Sequence, residues 1–124
     1  MHHEPLIHRV EAYFAAVDSQ SLEATMTFFT TDAIFTIATY NTVYSGQEEI
    51  AAMFERLFAR YDRVWHGNFQ HVVQLPDRIA TRFNVENESL SQPVTHKNNC
   101  NFFHARDDRF DEVFVYTSGD NALR

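Results

Sequence analysis

The stretch at residues 44–50 reads YSGQEEI and marks the start of a helix. Its Ser45 is followed three positions later by Glu48, which is the spacing of a capping box. In that arrangement the serine side chain accepts a hydrogen bond from the glutamate amide, and the glutamate side chain accepts one from the serine amide. The residues that follow have apolar side chains at three- and four-residue spacing, which predicts a helix with one buried face: Ile50, Met53, Phe54, Leu57, Phe58 and Tyr61.

Two further helices are predicted upstream of this stretch. Pro5 begins a run of apolar residues at helical spacing that continues to Asp18, and proline is favoured in the first turn of a helix. Ser21 is placed to cap a second, short helix, which we expect to break at residues 30–32. The β-branched and aromatic residues at 33–39 and 43–44 predict a short hairpin between the second and third helices.

The second half of the chain has the pattern of extended structure throughout. We predict strands at residues 64–75, 79–90, 94–106 and 109–118, separated by short turns that contain proline or aspartate. Helices followed by a long antiparallel meander indicate an α+β domain, with three helices packed on one face of a curved sheet. The 124 residues, of which 44% are apolar, predict a single domain over residues 1–124. Its ordered core is expected at about 5–118, with an exposed tail from Gly119.

The last predicted strand has apolar residues on both of its faces. Strict alternation puts Phe110, Phe114 and Tyr116 on one face and Val113 and Val115 on the other. A sheet that is covered by helices on one side and apolar on the other commonly packs against a second copy of itself. We therefore predict a homodimer through the outer sheet face, formed by Phe102, Phe110, Phe114 and Tyr116. Burial of the second face inside the monomer is the alternative.

The charge balance excludes some classes of partner. There are 10 Lys and Arg residues against 17 Asp and Glu, and no basic block, so neither nucleic acid nor an anionic membrane is expected to bind. The apolar runs are far shorter than the roughly 20 residues that cross a bilayer. The beginning of the sequence lacks the features of a secretion signal, so a cytoplasmic protein is expected. Cys100 is the only cysteine and permits no internal disulfide. No functional role is predicted for His2 and His3.

Three local strings resemble the nuclear transport factor 2-like superfamily, in its SnoaL-like branch. They read YFAAVD at 13–18, FTTDA at 29–33 and YSGQEEI at 44–50, and the order of elements agrees over nearly the whole chain. The resemblance implies a cone-shaped half-barrel whose helices and sheet enclose a deep, mainly apolar pocket, and dimers packed through the outer sheet face. The last of the three strings is common throughout the superfamily, so it indicates fold rather than activity.

The resemblance also implies where the chemistry would take place. Asp18 ends the predicted first helix and His66 lies on a long strand, at the positions where dehydratase and dehydrochlorinase members of the superfamily carry a proton-abstracting dyad. A carboxylate on one imidazole nitrogen fixes the tautomer and leaves the other nitrogen free to take a proton. Tyr13 and Asn99 resemble the oxyanion-binding groups of ketosteroid isomerase members, whereas the general base of those enzymes aligns with Ile37.

A set of mostly apolar residues is expected to line the pocket and bind the ligand: Asn99, Phe14, Ile37, Phe54, Phe58, Trp65, Phe103 and Val115. If Phe103 points inward, alternation puts Asn101 and Asn99 inward as well, and leaves Phe102 on the outer face. Each candidate also has a purely structural interpretation. Asp18 is then a turn residue, His66 a satisfied core histidine, Tyr13 a packing residue and Asn99 a solvated strand residue.

These features support two hypotheses about function. The first is a lyase of the dehydratase type, or an isomerase, that acts on a small hydrophobic molecule through Asp18, His66 and Tyr13. The second is a non-catalytic dimeric protein of the same fold that binds a small ligand or serves as an accessory protein. No cofactor is expected, because the sequence has no glycine-rich phosphate loop.

No metal is expected either. His66 and His71 are five residues apart, which places them on opposite faces of a regular strand. His96 and His104 are separated by roughly 26 Å along an extended strand, which is too far for a shared metal ion.

Overall fold

The computed structural model describes residues 4–124, so His2 and His3 lie outside the described part. The helices are α1 (Glu4–Asp18), α2 (Leu22–Met26) and α3 (Gly46–Arg60). The strands are β1 (Phe29–Ile37), β2 (Thr42–Ser45), β3 (Arg63–Gln74), β4 (Arg78–Ser89), β5 (Gln92–Arg106) and β6 (Arg109–Thr117). A 3₁₀ turn at Ala38–Tyr40 joins β1 to β2. The helices and strands predicted from the sequence are therefore present.

The six strands form one open sheet in the order β2-β1-β6-β5-β4-β3. Neighbouring strands are antiparallel except for β1 and β6, which are parallel. The helices contact one face of this sheet, with α3 against β1 and α1 against β3. This arrangement confirms the predicted α+β class. Among residues 4–124, no helix combines the length and apolar character needed to cross a bilayer.

Aromatic side chains dominate the core between the helices and the inner face of the sheet. Phe29, Phe35, Phe54 and Phe110 are among its largest fully buried side chains. Large rings bury more apolar area per residue than aliphatic side chains, so a chain of this length can build its core from a few of them.

The start of two helices differs in detail from the prediction. Ser21 caps α2 as expected, and its Oγ accepts a hydrogen bond from the amide of Ala24 at 3.1 Å. The side chain of Ser45 makes no capping bond, and the Ser45 amide donates instead to Glu49 at 2.9 Å. The predicted capping box with Glu48 is therefore wrong. The expected break at residues 30–32 is also wrong, because β1 already begins at Phe29.

A bulge in β6 corrects the predicted outer face. His104 pairs with Glu112, but the next residue of β5, Ala105, pairs with Phe110, so Asp111 is the extra residue. A bulge of this kind reverses the facing of every residue beyond it. Phe110 consequently points into the core and is 0% exposed, so it cannot belong to a dimer face. Phe102 and Tyr116 are exposed on the outer face as predicted.

A second bulge, in β3, corrects the expected facing of two histidines. The pairing of β3 with β4 shifts between Gly67 and Gln70, where Asn68 adopts a left-handed backbone conformation. His66 and His71 therefore lie on the same, inner face, opposite Val85 and Thr81, both of which are buried. The expectation that they face opposite ways is wrong. Each instead contacts its own carboxylate, Asp18 for His66 and Glu11 for His71.

The end of the chain is not the exposed tail that the sequence suggested. Ala122 and Leu123 pack against the core. The Leu123 carbonyl accepts a hydrogen bond from the Tyr44 hydroxyl at 3.1 Å, and the Ala122 carbonyl accepts one from Arg60 at 2.7 Å. Residues 120–123, called here the C-terminal segment, therefore cover one end of the cone.

Candidate functional site

The last turn of α1 and the first half of β3 bring Asp18 and His66 into contact. One Asp18 oxygen, Oδ1, lies 2.6 Å from the ring nitrogen Nδ1 of His66. The other, Oδ2, accepts a hydrogen bond from the main-chain amide of His66 at 3.1 Å. Because a carboxylate only accepts hydrogen bonds, Nδ1 carries the hydrogen and Nε2 is the acceptor nitrogen of the neutral ring. One carboxylate therefore holds both the ring and the main chain of His66.

The imidazole of His66 is held by aromatic rings as well as by Asp18. The ring of Phe14 stacks on it, with centroids 4.8 Å apart and an angle of 25° between the planes. The ring of Phe83 also lies next to it, with centroids 5.7 Å apart. The His66 side chain is 12% exposed and that of Asp18 25%, so the pair is partly shielded from water. Such shielding strengthens the hydrogen bond between them.

A cavity of about 50 Å³ adjoins His66 at the covered end of the cone. Its apolar wall is formed by Leu57, Val85 and Val115, and the C-terminal segment forms its roof. Four polar side chains of the sheet also line it, those of Asn87, Lys97, Asn99 and Thr117. Ligand pockets begin at roughly 300 Å³, so this cavity is much smaller than the deep pocket that the resemblance implies.

Three of the residues selected from the sequence line this cavity: His66, Asn99 and Val115. Asn99 lies on the inner face as alternation predicted, and its Oδ1 accepts a hydrogen bond from Thr117 at 2.7 Å. Phe14 holds the His66 ring instead of contacting the cavity. The other apolar candidates on the inner side pack in the core and do not line the cavity: Ile37, Phe54, Phe58 and Phe103.

Trp65 lies on the opposite side of the sheet from His66. It pairs with Glu86, whose neighbours Val85 and Asn87 are the buried, inward-facing residues of β4. A Cβ built on Gly67 would lie 2.2 Å from the Trp65 ring, which shows that the ring covers this glycine on the outer face. The expectation that Trp65 forms a pocket wall is therefore wrong. Since adjacent residues of a strand face opposite ways, Trp65 and His66 cannot both face the pocket.

Tyr13 is enclosed by phenylalanine rings and does not line the cavity. Its side chain is 2% exposed, and the nearest ring centroid, that of Phe14, is 4.9 Å away. Burial, and to a lesser degree the negative charge of Asp18, raise the pKa of the Tyr13 hydroxyl far above its ordinary value. The hydroxyl is therefore neutral and able to donate a hydrogen bond, but the cavity does not reach it.

Lys97 is a cavity residue that the sequence interpretation missed. It belongs to a polar run at 95–99 that is typical of a solvated strand, yet it is 8% exposed and lines the cavity. Burial lowers the pKa of its amine below the ordinary value, and the charges of Arg124 and Arg60 act in the same direction, whereas that of Asp120 opposes them. The signal was present, because the alternation that puts Phe103, Asn101 and Asn99 inward continues to Lys97.

Comparison with known proteins identifies a family-model match over most of the chain. Residues 10–113 match the model described as the SnoaL-like domain. No curated protein sequence matches the chain significantly.

The solved structures that superpose on the chain share its fold at low sequence identity. A candidate polyketide cyclase from Xanthomonas campestris gives a TM-score of 0.80 at 16% identity, over 94% of this chain and 92% of its own. A protein with a ketosteroid isomerase-like fold from Catenulispora acidiphila, in complex with trimethylamine, gives 0.78 at 16% identity, over 87% and 83%. An NTF2-like protein from Anabaena variabilis gives 0.79 at 12% identity, over 94% and 89%. Identities this low establish the fold alone.

Proposed function

The chain belongs to the SnoaL-like domain family, and on this basis we propose that it is a cofactor-independent lyase of the dehydratase type, or an isomerase. The substrate is a small hydrophobic molecule with a ring and a carbonyl group. His66 takes a proton from the carbon next to the carbonyl, and Asp18 holds His66 for this step. The observation that carries the proposal is the double contact of Asp18, with one oxygen on the ring and the other on the amide of His66.

The proposed first step is the same for both reaction types. Nε2 of His66 takes the proton, the electrons of the broken C–H bond form a new C=C bond, and the electrons of the C=O double bond move to the oxygen. An amide donor at that oxygen stabilises the enolate, and Asn99 is the predicted donor that lines the cavity. In a dehydration the enolate then expels a hydroxyl group from the neighbouring carbon, which leaves as water with the proton from His66. In an isomerisation that proton returns to a different carbon.

The experiment that tests this proposal measures proton exchange on a simple ring ketone. With 2-tetralone in D₂O, proton NMR follows replacement of the hydrogens next to the carbonyl by deuterium. The wild-type protein should accelerate this exchange, and His66→Gln should reduce the acceleration by roughly 100-fold or more. Asp18→Asn should also slow exchange, because an amide does not stabilise the imidazolium that forms. Exchange by His66→Gln at the wild-type rate would refute the proposal.

A matched control comes from His96, which lies on the outer face of β5 with a side chain that is 73% exposed. His96→Gln removes one imidazole without touching the cavity, so its exchange rate should equal that of the wild type. This control distinguishes non-specific exchange by exposed histidines from exchange catalysed by His66 at the cavity.

A non-catalytic ligand-binding protein is the second candidate function. It is favoured by the lining of the cavity, which sets the apolar Leu57, Val85 and Val115 beside the polar Asn99 and Lys97, as a small ligand with an apolar and a polar part requires, and which needs no proton transfer. In that case 2-tetralone would shift the NMR signals of cavity residues while its exchange rate stayed at the rate in buffer. The exchange assay therefore distinguishes the two candidates directly.

A further inference from the structure

The sequence contains one lysine, Lys97, and it lies in the same row of the sheet as His66. His66 on β3 pairs with Val85 on β4, and Val85 pairs with Lys97 on β5. Neighbouring strands are about 4.8 Å apart, so the backbones of His66 and Lys97 are about 10 Å apart. All three side chains line the cavity. The ring of a ligand that lies over Val85 can therefore contact both His66 and Lys97.

The amine of Lys97 is buried without a carboxylate in contact. It donates a hydrogen bond to the main-chain carbonyl of Asp120 in the C-terminal segment. Among the side chains of residues 5–124, none of the ion pairs includes Lys97. A buried positive charge is unfavourable unless an anion balances it. The Asp120 carboxylate acts on this charge without forming an ion pair with it. A negatively charged ligand group in contact with the amine would balance the charge more directly than the neutral carbonyl does.

The C-terminal segment occupies the space that a ligand would need. Asn121, Ala122 and Leu123 line the cavity, and the Asp120 carbonyl takes the hydrogen bond of Lys97. With the segment in place, the cavity has room for little more than water. A ring-bearing ligand therefore enters only when the segment moves out, and it then competes for the same amine and the same apolar wall.

We propose that Lys97 determines specificity at this site by binding a carboxylate oxygen of an aromatic ligand, which replaces the Asp120 carbonyl when residues 120–123 move out. This inference rests on the proposed function and names the substrate class: small ring compounds that carry an acidic group. With that group on Lys97, the ring lies over Val85 and its far side faces His66. A neutral analogue of the same shape loses the contact with Lys97.

The test compares two probes that share a ring system and differ in charge, 2-naphthoate and 2-naphthamide. Titration calorimetry gives their affinities for the wild-type protein, and we expect 2-naphthoate to bind at least tenfold more tightly. Lys97→Met should reduce this preference to less than twofold, and Lys97→Arg should restore part of it. Thermal unfolding of each variant checks that it is folded.

A second measurement uses the single lysine directly. In protein labelled with ¹³C-lysine, one Cε signal reports on Lys97, and 2-naphthoate should shift it more than 2-naphthamide does. Arg82→Met is the matched control for charge, because Arg82 is exposed and does not line the cavity. This variant should keep the preference for the anionic probe.

Two outcomes would overturn the proposal: equal affinity of the wild type for both probes, or an undiminished preference in a folded Lys97→Met variant. Failure of this proposal is distinguishable from failure of the proposed function. Exchange of 2-tetralone without a preference between the probes would retain catalysis and remove the role of Lys97. A preference that depends on Lys97, without exchange, would retain the anion site and remove catalysis.

Discussion

The carboxylate of Asp18 uses both of its oxygens on a single residue. One oxygen fixes the main chain of His66 and the other fixes its ring, so the position and the tautomer of the imidazole depend on the same group. Phe14, which stacks on the ring, precedes Asp18 by four residues on α1. Residues four apart lie on one face of a helix, so the last turn of α1 holds His66 as a unit. The Asp18–His66 contact depends on how α1 packs against β3, which local sequence does not determine.

The stability of the protein is expected to depend on pH through a different histidine. His104 lies between two carboxylates, with Nδ1 2.5 Å from Asp111 and Nε2 2.9 Å from Asp77. The hydrogen bond to Asp111, and more weakly that to Asp77, raise the pKa of His104 above its ordinary value, and partial burial opposes this. The charged ring therefore contributes its full stabilisation of the folded protein at pH values below about 6.5, the pKa of histidine in the unfolded chain. This stabilisation is lost as the pH rises through the higher pKa that His104 has in the folded protein.

We expect the free energy of unfolding, measured in urea, to fall between pH 6 and 8.5 by a larger amount in the wild type than in His104→Gln. The difference between the two proteins should reach up to about 1 kcal/mol, as for partly exposed ion pairs. The nearby Arg106, whose guanidinium is 3.8 Å from Asp111, keeps its charge over this range and does not contribute to the change. His96→Gln should follow the wild-type profile. Identical profiles for the wild type and His104→Gln would contradict the assignment.

Two serines are both predicted to cap a helix, and they differ in structure. Ser21 caps α2 through its side chain, whereas Ser45 offers only its amide, which donates to Glu49. Loss of an N-cap serine costs about 1 kcal/mol. We therefore predict that Ser21→Ala destabilises the protein by about that amount, and that Ser45→Ala stays within about 0.5 kcal/mol of the wild type. Urea unfolding of both variants is the measurement. Equal destabilisation by the two would contradict the observed capping pattern.

The facing of residues could be predicted from the sequence wherever the strands are regular. Phe103 and Asn101 are buried and Phe102 is exposed, as alternation required. The prediction failed for Phe110, which a bulge at Asp111 separates from the rest of β6, and for the relative facing of His66 and His71, which have a bulge near Asn68 between them. A bulge inserts one unpaired residue, so the residues on its two sides no longer follow one alternation. Where a bulge falls depends on how the sheet curves over the helices. The local sequence at these two sites did not reveal it.

At the scale of the whole molecule, the two faces of the sheet differ in what covers them. The inner face is filled by helices and aromatic rings, and the C-terminal segment closes the end of the cone. Contacts of that segment with Tyr44 and Arg60 join residues far apart in sequence, which is why its docking could not be predicted.

The outer face carries large exposed apolar side chains: Ile34, Val43, Val72, Phe102 and Tyr116. It also has a groove of about 330 Å³ whose apolar lining includes Val72, Ala80, Phe102 and Phe114.

This uncovered apolar face is the basis of the last prediction, a homodimer through the outer sheet face. Monomeric proteins rarely expose a contiguous apolar area of this kind, and a two-fold pairing of the same face on two copies would remove it from water. Light scattering after gel filtration should therefore give twice the chain mass of 14.5 kDa. Phe102→Asp should shift the mass to that of the monomer, because it places a charge where Phe102 packs edge-on against Tyr116. Leu90→Asp is the control, since Leu90 is 97% exposed at the turn between β4 and β5, away from the face, and should remain dimeric. A wild-type protein of monomer mass at every concentration tested, or a Phe102→Asp variant that stays dimeric, would contradict the prediction.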